Sequence, residues 1–149
     1  MIVLDTTVLI YAVGDHHPLG EPCRRLVTAI GDEALQATTT VEVIQEFVHV
    51  RARRRGRGDA QAVAVGFIDL LSPLLRPDET DIRRALDLFV SRPQIGAFDA
   101  VLAATAIGTG HVRALISADR AFASIPGLAH IDPADADAID ALLSRPQRL

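Results

Sequence analysis

The sequence contains no lysine; all 15 of its cationic side chains are arginine. GC-rich coding explains that bias, which the abundance of alanine shares. The absence still has chemical force, because it excludes every mechanism that needs a lysine nucleophile or base. Cysteine is almost as scarce. A single residue, Cys23, leaves no disulfide framework and no cysteine-rich zinc site. Long hydrophobic runs are missing too: Ile2 to Leu4 and Val8 to Val13 fall far short of the roughly 20 apolar residues a membrane span needs. No basic segment precedes an apolar one at the start of the chain, so the expectation is a soluble cytoplasmic protein.

What is present is ordinary globular material. Of 149 residues, 49% are apolar and 23% charged, which fits one folded domain over residues 1–149 and excludes a disordered chain. A net charge of −4 does not advertise a nucleic-acid binder. The distribution says more than the sum. Arg51, Arg53, Arg54, Arg55 and Arg57 crowd together, and Asp132, Asp135, Asp137 and Asp140 form an acidic stretch. There is no repeat and no low-complexity linker.

Short apolar runs alternate with segments of helical period, a pattern that predicts an α/β fold with a mainly parallel sheet. Strands are expected at Ile2 to Leu4, Leu35 to Thr38, Leu74 to Arg76, Ala114 to Ser117 and Leu128 to Ile131. Helices are expected over Glu21 to Ile30, Val41 to Arg54, Asp59 to Leu71, Pro77 to Val90, Phe98 to Gly108 and Pro133 to Leu143. Thr40 offers an N-cap for the second of these helices and Gly56 a stop. Glu42, Glu46, His49 and Arg53 form a polar stripe along it.

Two aspartates stand just past strands: Asp5 after Ile2-Val3-Leu4, and Asp119 after Ala114 to Ser117. That is the edge where open α/β sheets place their ligands. Asp99 opens a helix of small residues, and Glu46 sits mid-helix. Taken singly, each aspartate reads as a helix cap and Glu46 as a solvated position. Together they invite a different reading. Two carboxylates ~4 Å apart repel by ~4 kcal/mol at an effective dielectric of about 20, so a converging cluster must share protons or hold a cation. Oxygen-only ligands select a hard divalent ion, Mg²⁺ or Mn²⁺, and such an ion activates water and holds phosphoryl oxygens for in-line displacement.

Four segments carry a family resemblance: Ile2 to Ala12, Val43 to Phe47, Phe98 to Ala106 and Leu115 to Phe122. In order and spacing they resemble the signature stretches of PIN-domain ribonucleases, above all the VapC-type toxins of bacterial toxin–antitoxin pairs. The resemblance implies a three-layer α/β/α sandwich and a divalent-metal-dependent endoribonuclease. It assigns Asp5, Glu46, Asp99 and Asp119 to the acidic site, with Asp5, Asp99 and Asp119 toward the metal and Thr6 and Ser117 in support. It further implies an RNA substrate, a homodimer, and a small antitoxin covering the acidic pocket. Glu42, one turn from Glu46, could reach the same face, so the choice of Glu46 rests on its Gln45-Glu46-Phe47 context.

The arginine run has two readings: Arg51, Arg53, Arg54 and Arg55 either hold RNA phosphates or simply complement a helix C-terminus. Cys23 falls on the apolar stripe with Leu26, Val27 and Ile30, which predicts burial rather than reactivity. Aspartyl phosphoryl transfer, the rival enzyme class, wants a lysine, and its phosphatase form wants a second aspartate where Thr7 stands. A housekeeping RNA-processing nuclease and a non-catalytic RNA-binding module on the same fold are the remaining alternatives. The four carboxylates argue against the module, since like charges gathered without a cation only destabilise.

Overall fold

The computed structural model describes residues 1–144. At its centre lie the strands β1 (Ile2–Leu4), β2 (Ala37–Thr38), β3 (Ala114–Ile116) and β4 (His130–Ile131), all parallel, in the spatial order β2-β1-β3-β4. Ile2 pairs with Ala114 and Leu4 with Ile116, while Val3 faces Thr38 on the other side. The three residues of β1 are wholly buried, which is why the strand reads as an unbroken apolar run rather than an alternating one. The chain leaves β1 toward β2 in one direction and later inserts β3 on the opposite side. The β1–β3 junction is therefore the switch point of the sheet.

Helices cover both faces and give a three-layer α/β/α sandwich: α1 (Thr6–Val13), α2 (Gly20–Gly31), α3 (Val41–Arg55), α4 (Arg57–Leu71), α5 (Glu79–Ser91), α6 (Ala97–Gly108) and α7 (Ala136–Leu143). The Thr40 side chain accepts a hydrogen bond from the Val43 amide and so caps α3. Asp78 and Asp81 cap α5 reciprocally. Phe47 of α3 is fully buried and meets Phe67 of α4 edge to face, with ring centroids 5.2 Å apart. That contact locks the two helices into a hairpin. Helix α6 packs closely because Ala100, Ala103, Ala104 and Ala106 are its buried residues, with Leu102 and Thr105.

Several boundaries differ from the sequence expectation. Residues after Asp5 form a helix, α1, that is not among the helices expected from the sequence; Thr6, Val8, Leu9 and Ala12 are buried, so no polar face marks its period. Leu74 to Arg76 is not a strand. Its contact with the sheet region is an isolated bridge between Leu75 and Thr40. Helix α7 begins at Ala136 rather than Pro133, because Asp135 caps it by accepting from the Ala138 amide. Cys23 is buried as expected, and burial pushes its thiol up to about 12.

Gly56 joins α3 to α4 with φ 88° and ψ 166°, a region of backbone space that side chains resist. Gly66, inside α4, faces open space. Urea denaturation should therefore separate the two. Gly56→Ala should lose about 1–3 kcal/mol of stability to backbone strain. Gly66→Ala should gain about 0.5–1 kcal/mol of helix propensity. Equal shifts in one direction would contradict the assigned backbone geometry.

Candidate active site

Asp5 follows β1 directly and is only 4% exposed. It occupies the position of an N-cap for α1, yet its side chain makes no capping hydrogen bond. Its Oδ2 instead accepts from Ser117 Oγ at 2.6 Å and from Thr7 Oγ1 at 2.9 Å. The same two hydroxyls also accept, Ser117 Oγ from the Asp119 amide and Thr7 Oγ1 from the Ala118 amide. The Asp5 amide completes the junction with a 3.0 Å bond to the Ile116 carbonyl. The ends of β1 and β3 are thus sewn together through one carboxylate. Sequence reasoning named Ser117 but missed Thr7, whose signal is the doubled hydroxyl in Asp5-Thr6-Thr7.

Helix α3 turns Val43, Ile44 and Phe47 inward, which leaves Glu46 beside the buried face and aimed at the sheet edge. Thr6 Oγ1 donates to Glu46 Oε2 at 2.5 Å. Thr6 is itself buried, so Glu46 is tied to the same junction that positions Asp5. Glu42, one turn earlier, is exposed at the rim. Asp99 lies in the first turn of α6, with Gly96 rather than Asp99 at the N-cap. Asp119 is exposed, and its Oδ1 accepts from the Ala121 amide, capping the short 3₁₀ segment Arg120–Ser124. For Asp119 the capping role is real.

A hollow of about 560 Å³ opens over this junction, lined by Asp5, Glu46 and Asp99, with Glu42, Gln45 and His49 along one side. Its apolar wall is Val43, Ile82, Phe98, Val101 and Leu102. Gln45, His49 and Phe98 are lining residues that sequence reasoning did not assign to the site. The Asp99 carboxyl is pushed up to about 7, first by burial and then by the charges of Asp5, Asp119 and Glu46. The other three acids therefore all act on Asp99, Asp119 from outside the hollow.

Among the described residues, no group of three or more His, Cys, Asp or Glu side chains is placed to hold a metal ion. An open group of carboxylates still suits Mg²⁺ or Mn²⁺, which take one or two carboxylates and keep several waters. A cation there would also lower the mutual repulsion that raises Asp99.

The arginines divide. Arg51 binds Asp59 through two nitrogens and also donates to the Val13 carbonyl, leaving its side chain 14% exposed. Arg55 pairs with Asp15. Arg54 lines a small cleft with Val13, Gly14 and Asp15, away from the acids. Arg53 alone of the four stands in a hollow that adjoins the acidic one.

The raised Asp99 sets a pH signature for the metal-free chain. Below pH ~4 the group is protonated in both folded and unfolded states. Between there and about 7 the unfolded chain releases the proton while the folded chain keeps it. Stability contributed by Asp99 is thus full at low pH and is lost as pH rises toward 7. Urea midpoints of the parent, taken with chelator present, should fall across this window relative to those of Asp99→Asn. Parallel profiles would contradict the clustered geometry.

The comparisons with known proteins place the chain in a family. The family profile described as PIN domain matches residues 2–128. Ribonuclease VapC7 of Mycobacterium tuberculosis is 52% identical over 146 residues, covering 97% of this chain and 100% of that protein. Ribonuclease VapC13 of the same organism is 28% identical over 128 residues, 86% of this chain and 97% of its own. Among solved structures, FitAcB from Neisseria gonorrhoeae superposes with a TM-score of 0.71 at 16% identity, covering 91% of this chain and 99% of that one. The VapBC2 complex from Rickettsia felis, bound to a promoter DNA fragment, gives 0.68 at 19% identity, covering 89% and 98%. At those identities the structures speak for the fold alone. The profile and the VapC7 match carry the assignment: this chain belongs to the PIN-domain family, among its VapC-type members.

Proposed function

We propose that this chain is a divalent-metal-dependent endoribonuclease, the toxin half of a toxin–antitoxin pair, acting in the cytoplasm as a single domain over residues 1–149. The observation that carries the reading is the gathering of Asp5, Glu46 and Asp119 charges upon half-buried Asp99 at the switch point of the sheet. Such a gathering is unfavourable in isolation and favourable around a cation.

In this reading Asp5 and Asp99 hold Mg²⁺ or Mn²⁺, with Asp119 adding charge from the rim. The bound ion supplies acidification of a water and neutralisation of charge on the phosphoryl oxygens. Ser117 and Thr7 fix the orientation of Asp5 by occupying its Oδ2. Thr6 occupies Oε2 of Glu46, and Oε1 is left to take the proton of the attacking water. The water oxygen forms a new bond to phosphorus as the ester P–O bond breaks, and the departing oxygen takes up a proton from solvent.

The apolar wall beside the acids suits a partner that covers the hollow. Phe98 is 82% exposed and Ile82 42%. We infer that a small antitoxin seats apolar side chains there and blocks RNA. VapC7 is named a ribonuclease, and the solved relatives include VapBC assemblies, which supports both halves of the proposal. The toxin is further proposed to be a homodimer.

One set of assays tests this reading. The purified chain should elute at twice its mass and cut single-stranded RNA with Mn²⁺ but not with chelator. Expression should arrest growth, and the antitoxin encoded beside it should restore growth. Glu46→Gln should lower cleavage by about 100-fold or more, as expected for loss of a general base, while Glu42→Gln should leave most of it. Cleavage that survives Glu46→Gln and fails in Glu42→Gln would place the base on the wrong turn. An intact site that neither cuts RNA nor slows growth would overturn the function.

A further inference from the structure

A second hollow, about 800 Å³, lies between α3 and the start of α4 and is lined by Gln45, His49, Arg53, Arg57, Gly58 and Gln61. It shares Gln45 and His49 with the acidic hollow, so the two adjoin along α3. Arg53 and Arg57 are exposed, and among the described residues neither enters an ion pair. The fold treats their neighbours differently, since Arg51 and Arg55 are bound to Asp59 and Asp15. The arginine run therefore contributes two free charges to one hollow, whatever its total count.

Backbone geometry adds to this. Gly56 precedes α4 without a side-chain cap, so the first amides of a 15-residue helix remain available beside Gly58. Unsatisfied N–H groups at such an end favour an anion. The acid in that first turn, Asp59, is already bound to Arg51. Gly58 has nothing within 4 Å of where a Cβ would stand, leaving the approach open.

We propose that this hollow is a subsite for backbone phosphates of single-stranded RNA flanking the cut bond, held by Arg53 and Arg57 and lined by the amides of Gln45 and Gln61. The proposal rests on the nuclease reading of the acidic site. Arg53 lies seven residues beyond Glu46 on one helix, a separation of about 10 Å at 1.5 Å per residue. A free phosphate or mononucleotide would occupy one end only. A chain of regularly spaced phosphates reaches both, with one at the acids and the next ones at the arginines. His49, between the two ends on α3, lies where the strand would cross.

Binding of a labelled, unstructured RNA oligonucleotide, followed by anisotropy with chelator present, tests the proposal without cleavage. Arg53→Gln with Arg57→Gln should weaken binding by about tenfold. The slope of log K against log[salt] should become shallower by about 1.4, or roughly 0.7 for each lost phosphate contact. Arg53→Lys with Arg57→Lys should keep the parent slope, and Arg83→Gln, which lines neither hollow and pairs with Glu79, should change nothing. With Mn²⁺ present, the double glutamine variant should raise KM by a larger factor than it lowers kcat. Unchanged affinity and slope in that variant would overturn the subsite even if the parent cuts RNA normally. Loss of antitoxin binding with RNA binding intact would overturn it too, by giving the hollow to a protein partner. RNA binding with the predicted slope, in a parent that cuts nothing with Mn²⁺, would support the subsite and sink the nuclease reading alone.

Discussion

The hydrogen bond from Ser117 Oγ to Asp5 Oδ2, 2.6 Å long and fully buried, joins the ends of two strands that lie 112 residues apart in the chain. Parallel pairing of β1 with β3 brings those ends together, and the reversal of strand order around β1 leaves a crevice above them. Thr6 and Thr7, the next two residues, extend the same junction to Glu46 and to the Ala118 amide. One short segment, Asp5-Thr6-Thr7, thus positions groups from three separate elements. If the β1–β3 register moved by one residue, Ser117 would leave Asp5 and the acids would disperse.

Electrostatics give the junction its purpose. The Asp5 carboxylate accepts two hydroxyl bonds, which take the place of water around a side chain that is almost wholly buried. Asp99 has no such hydroxyl partner among the described residues and bears the consequence, with burial and three neighbouring charges acting in the same sense. The site therefore sets a carboxyl group held by two hydroxyls beside one whose charged form is disfavoured, in the same hollow. A divalent cation would relieve that imbalance, and the adjoining hollow with Arg53 and Arg57 carries positive charge farther along α3. The proposed RNA strand would use both: a cation for the reacting phosphate and fixed positive charge for those beside it.

Much of this was legible from the residues. Buried strands announce themselves as short apolar runs, and Asp5 and Asp119 follow two of them. Thr40 and Gly56 bracket α3 by cap and by positive φ. Helix α1 was not legible, because residues Thr6 to Val13 are apolar on nearly every side and rich in β-branched types. Leu75 reaches Thr40 by a single bridge, too little pairing to make a strand of an apolar run. The fates of Arg51 and Arg55 depend on Asp59 and Asp15, brought near by the α3–α4 hairpin and by α1. No spacing rule in the sequence could have shown which arginines were already engaged.

Asp5, which makes no capping hydrogen bond, is proposed to belong to a cation site. Melting curves of the parent and Asp5→Asn, with and without Mn²⁺, test it most directly. Without metal the variant should be more stable by roughly 1 kcal/mol, because one repelling charge is gone in a pocket open to water. Saturating Mn²⁺ should then stabilise the parent by about 2.7 kcal/mol at a hundredfold excess over Kd, and the variant by much less. A variant that melts lower without metal and gains as much from Mn²⁺ as the parent would contradict the account.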